Sequence, residues 1–153
     1  MTERPPHLRP ALIALVALGG VIGVAAREAI DLAVPSAGDF DSVIFAINVT
    51  GAFLLGVLLE TLARRGNDAG TRRVMRLFLG TCILGGFTTY SALATDTALL
   101  LLEGDVASAA LYSAGTIVVG GIASWCGVAG SAALHRRGPG RADGTAGTDG
   151  AAR

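Results

Sequence analysis

The sequence predicts an all-α membrane protein of four transmembrane helices, the third of them broken at its centre. Three observations carry that expectation. Apolar residues make up 52% of the 153 and charged residues 16%, and the charges gather between long silent stretches instead of spreading around amphipathic helices. The silent stretches cover residues 10–26, 42–59, 77–95 and 106–134, each reaching or approaching the roughly 20 residues a bilayer requires. In the middle of the third stretch, Gly85-Gly86-Phe87-Thr88-Thr89-Tyr90-Ser91 sets two glycines beside a run of hydroxyls.

The first span opens like a signal peptide, with Arg4 and Arg9 before an apolar core and Val24-Ala25-Ala26 as a weak cleavage site. Its length and the three spans that follow argue for retention. Near its end, Gly19-Gly20-Val21-Ile22-Gly23-Val24-Ala25-Ala26 is a small-residue run that lets another helix approach, and Arg27 follows it. Arg27 either lines an anion route or extends to the headgroups beside Glu28.

The second span carries Asn48 amid apolar neighbours. An amide there is costly unless used, either as a donor to an ion or in an interhelical hydrogen bond.

The third span should weaken at the glycine-hydroxyl cluster. Glycine disfavours helix by about 1 kcal/mol relative to alanine, and threonine and serine divert backbone hydrogen bonds. Unpaired peptide groups cost several kcal/mol in hydrocarbon, so irregular backbone at that depth faces protein, water or an ion. A kink or a small-residue packing face is the plainer alternative. The span is expected to continue past Asp96 through Leu102.

The fourth span contains Tyr112 and Thr116, four apart on one helix face, with Ser113 between them. Beyond it, residues 135–153 are rich in Gly, Ala, Arg and Asp without apolar period and are expected to form a disordered tail. Residues 1–9 form a short N-terminal segment. Cys82 and Cys126 fall inside spans and are expected to be ordinary buried cysteines. No nucleotide loop, zinc spacing or nucleophile elbow occurs, so nothing suggests an enzyme, and membrane lipid rather than nucleic acid is the expected surrounding.

All twelve basic residues are arginine. Arg4 and Arg9 precede the first span, Arg64, Arg65, Arg72, Arg73 and Arg76 join the second to the third, and Arg136, Arg137, Arg141 and Arg153 follow the fourth. Four spans put those eleven on one side. The opposite loops hold Asp31, Asp39, Asp41, Glu103 and Asp105. The positive-inside rule therefore predicts cytoplasmic N and C termini.

Three ordered segments, Gly19 through Arg27, Asn48-Val49-Thr50-Gly51-Ala52-Phe53-Leu54-Leu55-Gly56, and Gly80-Thr81-Cys82-Ile83-Leu84-Gly85-Gly86-Phe87-Thr88-Thr89-Tyr90-Ser91, resemble the bacterial fluoride channel family, CrcB or Fluc. Tyr112, Ser113 and Thr116 extend the resemblance over about residues 10 to 134. The resemblance implies a plasma-membrane channel of two subunits inserted in opposite orientations, with two narrow pores that passively export cytoplasmic fluoride. It also implies a structural sodium ion, Na+, at the centre of the dimer interface, held by the carbonyls of Gly85 and Thr88 and their symmetry mates. Asn48, Tyr90, Ser91, Tyr112, Thr116 and Arg27 become the expected fluoride-facing residues.

Two departures matter. Where the family carries two phenylalanines three residues apart, this chain has Tyr90 and Leu93, and leucine offers an anion no electropositive ring edge. Gly120 lacks a hydroxyl that the family often places there. An opposed homodimer also needs a chain that inserts both ways, whereas the arginines favour one orientation. Both points suggest a homologous partner with the reverse bias, although a homodimer remains open. Alternatives are a non-conducting or half-pore subunit and a small proton-coupled exporter, whose carboxylate would be Glu28, Glu60 or Asp96, with Asp96 best placed.

Overall fold

The computed structural model describes residues 10–34, 42–66 and 70–136. The expected N-terminal segment, Asp39, Asp41 and the tail from Arg137 lie outside the described residues. Helix α1 is Pro10–Ala33 and α2 is Ser42–Arg64. The third span consists of α3, residues 71–87, and α4, Tyr90–Leu102. Helix α5 is Val106–Arg136. Both α1 and α5 outrun their uncharged stretches: α1 continues past Arg27, Glu28 and Asp31, and α5 reaches Arg136.

Local chemistry accounts for the ends. Proline lacks an N–H, which suits the first turn of α1. Gly104, at φ 84, makes the tight turn between α4 and α5. Asp105 then caps α5, its Oδ1 accepting from the Ser108 N–H at 3.0 Å. The four spans are each long and apolar enough to cross a bilayer, and large apolar side chains such as Leu111, Ile117, Trp125 and Leu134 face outward. This is a multi-pass membrane protein.

Helix α1 packs on α3, α2 runs along α5, and α4 folds back on α5. Glycines set the first two contacts. A Cβ on Gly23 would lie 2.1 Å from the Ile83 carbonyl oxygen, and one on Gly86 would lie 2.6 Å from that of Gly20. Across the α2–α5 crossing, a Cβ on Gly56 would meet the Ser124 carbonyl oxygen at 2.2 Å and one on Gly127 that of Phe53 at 2.3 Å. Backbones touch where glycine removes the side chain, the small-residue packing available to helices in lipid. Leu93, Leu100, Ala109 and Tyr112 fill the space between α4 and α5, with Phe45 of α2 against them.

The third span is broken, and the location of the break refines the expectation. Gly85 keeps helical angles, φ −67 and ψ −33, and Gly86 stays in the helical turn Gly85–Phe87. Extended backbone occurs instead at Thr88 (φ −78, ψ 154) and Thr89 (φ −141, ψ 120). Gly86 serves the close contact with α1, while the Thr89 hydroxyl takes over a hydrogen bond the helix gives up. Residues Arg76–Leu84, just ahead of the break, are wound as a π-helix, a form associated with functional sites. Cys82 is buried as expected, whereas Cys126 is exposed on α5. Its neighbour Trp125 is 70% exposed, so that face of α5 is turned away from the bundle.

Candidate functional site at the helix break

Asn48 on α2 faces the break. Its Nδ2 donates to the Thr89 carbonyl oxygen at 3.0 Å, and its Oδ1 accepts from the Thr89 N–H at 2.8 Å. One side chain thus bonds both main-chain polar groups of Thr89, including an N–H that the helix has released. The exchange uses one of the two Nδ2 hydrogens, and among the described residues the second has no partner.

The threonines complete the local bonding. Thr88 Oγ1 donates to the Leu84 carbonyl oxygen at 3.0 Å, and its methyl lies against Gly51, where a Cβ would come within 2.3 Å. Thr89 Oγ1 caps α4 by accepting from the Ala92 N–H at 3.2 Å and lies 3.1 Å from Ser91 Oγ.

Two carbonyls lose their usual donors as a result. In a continuous helix the Thr89 N–H would reach the Gly85 oxygen and the Ala92 N–H would reach that of Thr88. Here those N–H groups go to Asn48 and to the Thr89 hydroxyl. Gly85 and Thr88 are the two residues expected to hold sodium, and uncharged carbonyl oxygens are the donors a hard cation takes. The donor chemistry fits that ion.

A cavity of about 360 Å³ borders the break. It brings together Asn48, Gly85, Thr88, Tyr90 and Thr116, with Leu93 and Gly120 on its wall. The Tyr90 side chain is 80% exposed. Thr116 is buried and its hydroxyl donates to the Tyr112 carbonyl oxygen at 2.7 Å, so its hydrogen serves its own helix.

Three expected residues stand outside that wall. Ser91 is exposed and paired with Thr89. Arg27 is half-buried on α1, its guanidinium 3.7 Å from the Glu28 carboxylate. Tyr112 is buried at 4% exposure, and its hydroxyl donates to Asp96 Oδ2 at 3.0 Å.

The Asp96–Tyr112 bond and the central role of Thr89 went unnoticed in the sequence. A signal for the first existed: Asp96 and Tyr112 each lie eight residues from Gly104, so a tight turn there folds them face to face. The second carried no signal, because which peptide Asn48 reaches depends on the packing of α2 against the third span.

The sequence model of the family described as CrcB-like protein, Camphor Resistance (CrcB), matches residues 14–128. The chain belongs to the CrcB-like family. That CrcB match spans α1 through most of α5 and includes every residue of the break and its cavity. Among curated relatives, a protein of Leifsonia xyli subsp. xyli named Fluoride-specific ion channel FluC 2 is 49% identical over 133 residues, covering 87% of this chain and 92% of the relative. Fluoride-specific ion channel FluC 1 of Cutibacterium acnes is 42% identical over 118 residues, 76% of this chain and 82% of its own. Fluoride-specific ion channel FluC of Novosphingobium aromaticivorans is 47% identical over 112 residues, 70% and 85% respectively. These CrcB relatives are named as channels, a class apart from enzymes, and several carry numbers that mark paralogues.

Proposed function

We propose that this chain is a subunit of a fluoride-specific channel that lets cytoplasmic fluoride leave the cell down its electrochemical gradient. The observation that carries the reading is the 49% identity to a relative bearing that name, over nearly the whole membrane domain. Supporting it is an interrupted span whose hydrogen-bond donors face a cavity.

Fluoride is small and tightly hydrated, so a pore must replace its water with donors while excluding larger anions by width. The second Nδ2 hydrogen of Asn48 is the first such donor, held in place because the rest of the amide is locked on Thr89. The Tyr90 hydroxyl and ring edge, exposed at the cavity, are the second. Thr116 contributes from the cavity wall when its hydroxyl turns from the Tyr112 carbonyl, and Ser91, Tyr112 and Arg27 contribute from the approaches, Tyr112 only when its hydroxyl leaves Asp96.

The carbonyls of Gly85 and Thr88 hold a structural sodium ion together with the same pair from a second subunit. Bound there, it supplies fixed positive charge near the pores and a reason for two broken spans to meet. The second subunit lies in the opposite orientation in the plasma membrane. The arginine asymmetry supports cytoplasmic termini for this chain and favours a paralogue with the reverse bias as its partner.

One observation favours a second reading, in which this chain completes a pore only beside that paralogue. Leu93 is 6% exposed and packs into the α4–α5 core, so the position that would present a second aromatic ring to the ion presents a methyl-lined wall.

Fluoride efflux from liposomes tests both. With sodium present and chloride-loaded vesicles as control, fast fluoride-selective efflux from the purified chain alone establishes a homodimeric channel. Efflux only after a homologous subunit is added establishes the mixed dimer. Silence in both refutes the channel reading, and dependence on an imposed pH gradient, beyond protonation of fluoride itself, would point to a proton-coupled exporter.

A further inference from the structure

Between positions 60 and 76 the chain carries five arginines against two acidic residues, Glu60 and Asp68. Glu60 is held by Arg64, one turn further along α2. Beside them, between the last two turns of α2 and the start of α3, a cavity of about 260 Å³ is lined by Leu59, Leu62, Ala63, Gly66, Arg72 and Arg76. It is separate from the cavity at the break.

Arg72 and Arg76 are four apart and share one face of α3. The half-buried Arg72 guanidinium folds over Gly66, where a Cβ would come 2.7 Å from Nη1; φ there is 109, so the turn favours glycine twice over. Arg73, one position on, is exposed and takes no part in the lining. The leucines belong to the end of the apolar span and the arginines to its rim. Leu59 is 40% exposed, which leaves the apolar wall open to lipid.

We infer that this cavity binds an anionic phospholipid, its phosphate on Arg72 and Arg76 and its first acyl carbons along Leu59 and Leu62. A guanidinium fork matches two phosphate oxygens at once. Basic pockets at the cytoplasmic rim of helix bundles recognise such headgroups. Charge selects the lipid class: a zwitterionic lipid would bring its own ammonium up to Arg72 and Arg76. Free phosphate would gain nothing from the leucines.

Native mass spectrometry of the full-length protein in detergent, with phosphatidylglycerol, phosphatidylcholine or inorganic phosphate added, tests this. Phosphatidylglycerol should be retained in preference to phosphatidylcholine and should not be displaced by equimolar phosphate. Arg72→Gln and Arg76→Gln should each lower its retention roughly fivefold or more, about the effect of one arginine beside an anionic headgroup, while Arg73→Gln, with the same change in net charge, should not. Equal retention of the two lipids, displacement by phosphate, or an equal loss with Arg73→Gln would overturn the proposal. If Arg72→Gln does not fold, Arg72→Lys and Leu59→Gln carry the test: the first loses the fork and the second the apolar wall. Each should at least halve retention, and full retention in both would overturn it.

Discussion

Asn48 and the peptide group of Thr89, 41 positions apart in the chain, exchange two hydrogen bonds, at 3.0 and 2.8 Å. The asparagine therefore has a structural role, and the proposed role toward the ion falls to the same amide. It stabilises an opened backbone within the bilayer, and being fixed there it presents its remaining hydrogen in a set direction.

Substitution at Asn48 should separate the two roles. Asn48→Ala strips the partner from the half-buried Thr89 N–H, and an unsatisfied group of that kind costs about 1–3 kcal/mol. A loss of that order is expected, read as a lower thermal midpoint in detergent and reduced assembly. Asn48→Asp keeps the acceptor for the Thr89 N–H but turns a carboxylate toward the cavity. It should assemble better than Asn48→Ala and still abolish fluoride efflux, and wild-type efflux from it would remove Asn48 from the pore.

Tyr112 and Asp96 should be energetically coupled. A double-mutant cycle with Tyr112→Phe and Asp96→Asn is expected to return about 1 kcal/mol or more of interaction in thermal stability, as for a hydrogen bond to a polar or charged partner. Additive effects would mean that the two groups do not act on each other.

Close packing of α1 on α3 makes Gly23 intolerant. A Cβ there meets the Ile83 oxygen at 2.1 Å and the Phe87 nitrogen at 2.8 Å, both backbone atoms that cannot rotate aside. Gly23→Ala should cost roughly 1–3 kcal/mol by forcing the helices apart. Gly121→Ala on α5, where nothing lies within 4 Å, should be neutral or gain up to about 1 kcal/mol of helix propensity. Equal stability of the two variants would contradict the packing.

Acid should loosen the start of α5. The Asp105 carboxyl is held below its ordinary value of 3.8, first by its side-chain hydrogen bond with Ser108 and then by the Ser108 backbone N–H. A depressed carboxyl contributes stability that is fully present above its unfolded pKa and disappears as the pH falls through the folded one. Thermal midpoints of the wild type should therefore fall on acidification through the carboxylate range. Asp105→Asn, which cannot titrate, should flatten that part of the profile, and an unchanged acid limb would show that the cap does not contribute to it.

Sodium dependence follows from the carbonyl pairs proposed to hold the ion. Purification with a bulky organic cation in place of sodium should yield less dimer and slower fluoride efflux, both restored by sodium at constant ionic strength. Indifference of assembly and efflux to sodium would remove the ion from the structure.

The four spans were legible because an uncharged run of bilayer length has few other uses. Their ends were less so: Arg27, Glu28 and Asp31 stay helical, since charges in the last turns of a span reach the headgroups without ending the helix. The glycine-hydroxyl cluster located the break to within a few residues. It did not distinguish glycines that admit a neighbouring helix from threonines that replace helical hydrogen bonds, because that choice is made by α1. The candidate site was legible in its central members, Asn48, Gly85, Thr88 and Tyr90. Thr116 and Tyr112 share a helix face as their spacing says, yet one hydroxyl bonds its own backbone and the other Asp96. Residue type alone does not reveal where a hydroxyl spends its hydrogen.

The glycine contact between α1 and α3 also bears on biogenesis. Helix α1 packs chiefly on α3 and only slightly on α2. During translation the first span therefore enters the membrane well before its mate has been synthesised, with Gly19, Gly20 and Gly23 presenting bare backbone to lipid. It must wait there, shielded by acyl chains or by the insertion machinery, until the third span emerges. The contact that seats the first helix cannot form before the ribosome has passed Gly86.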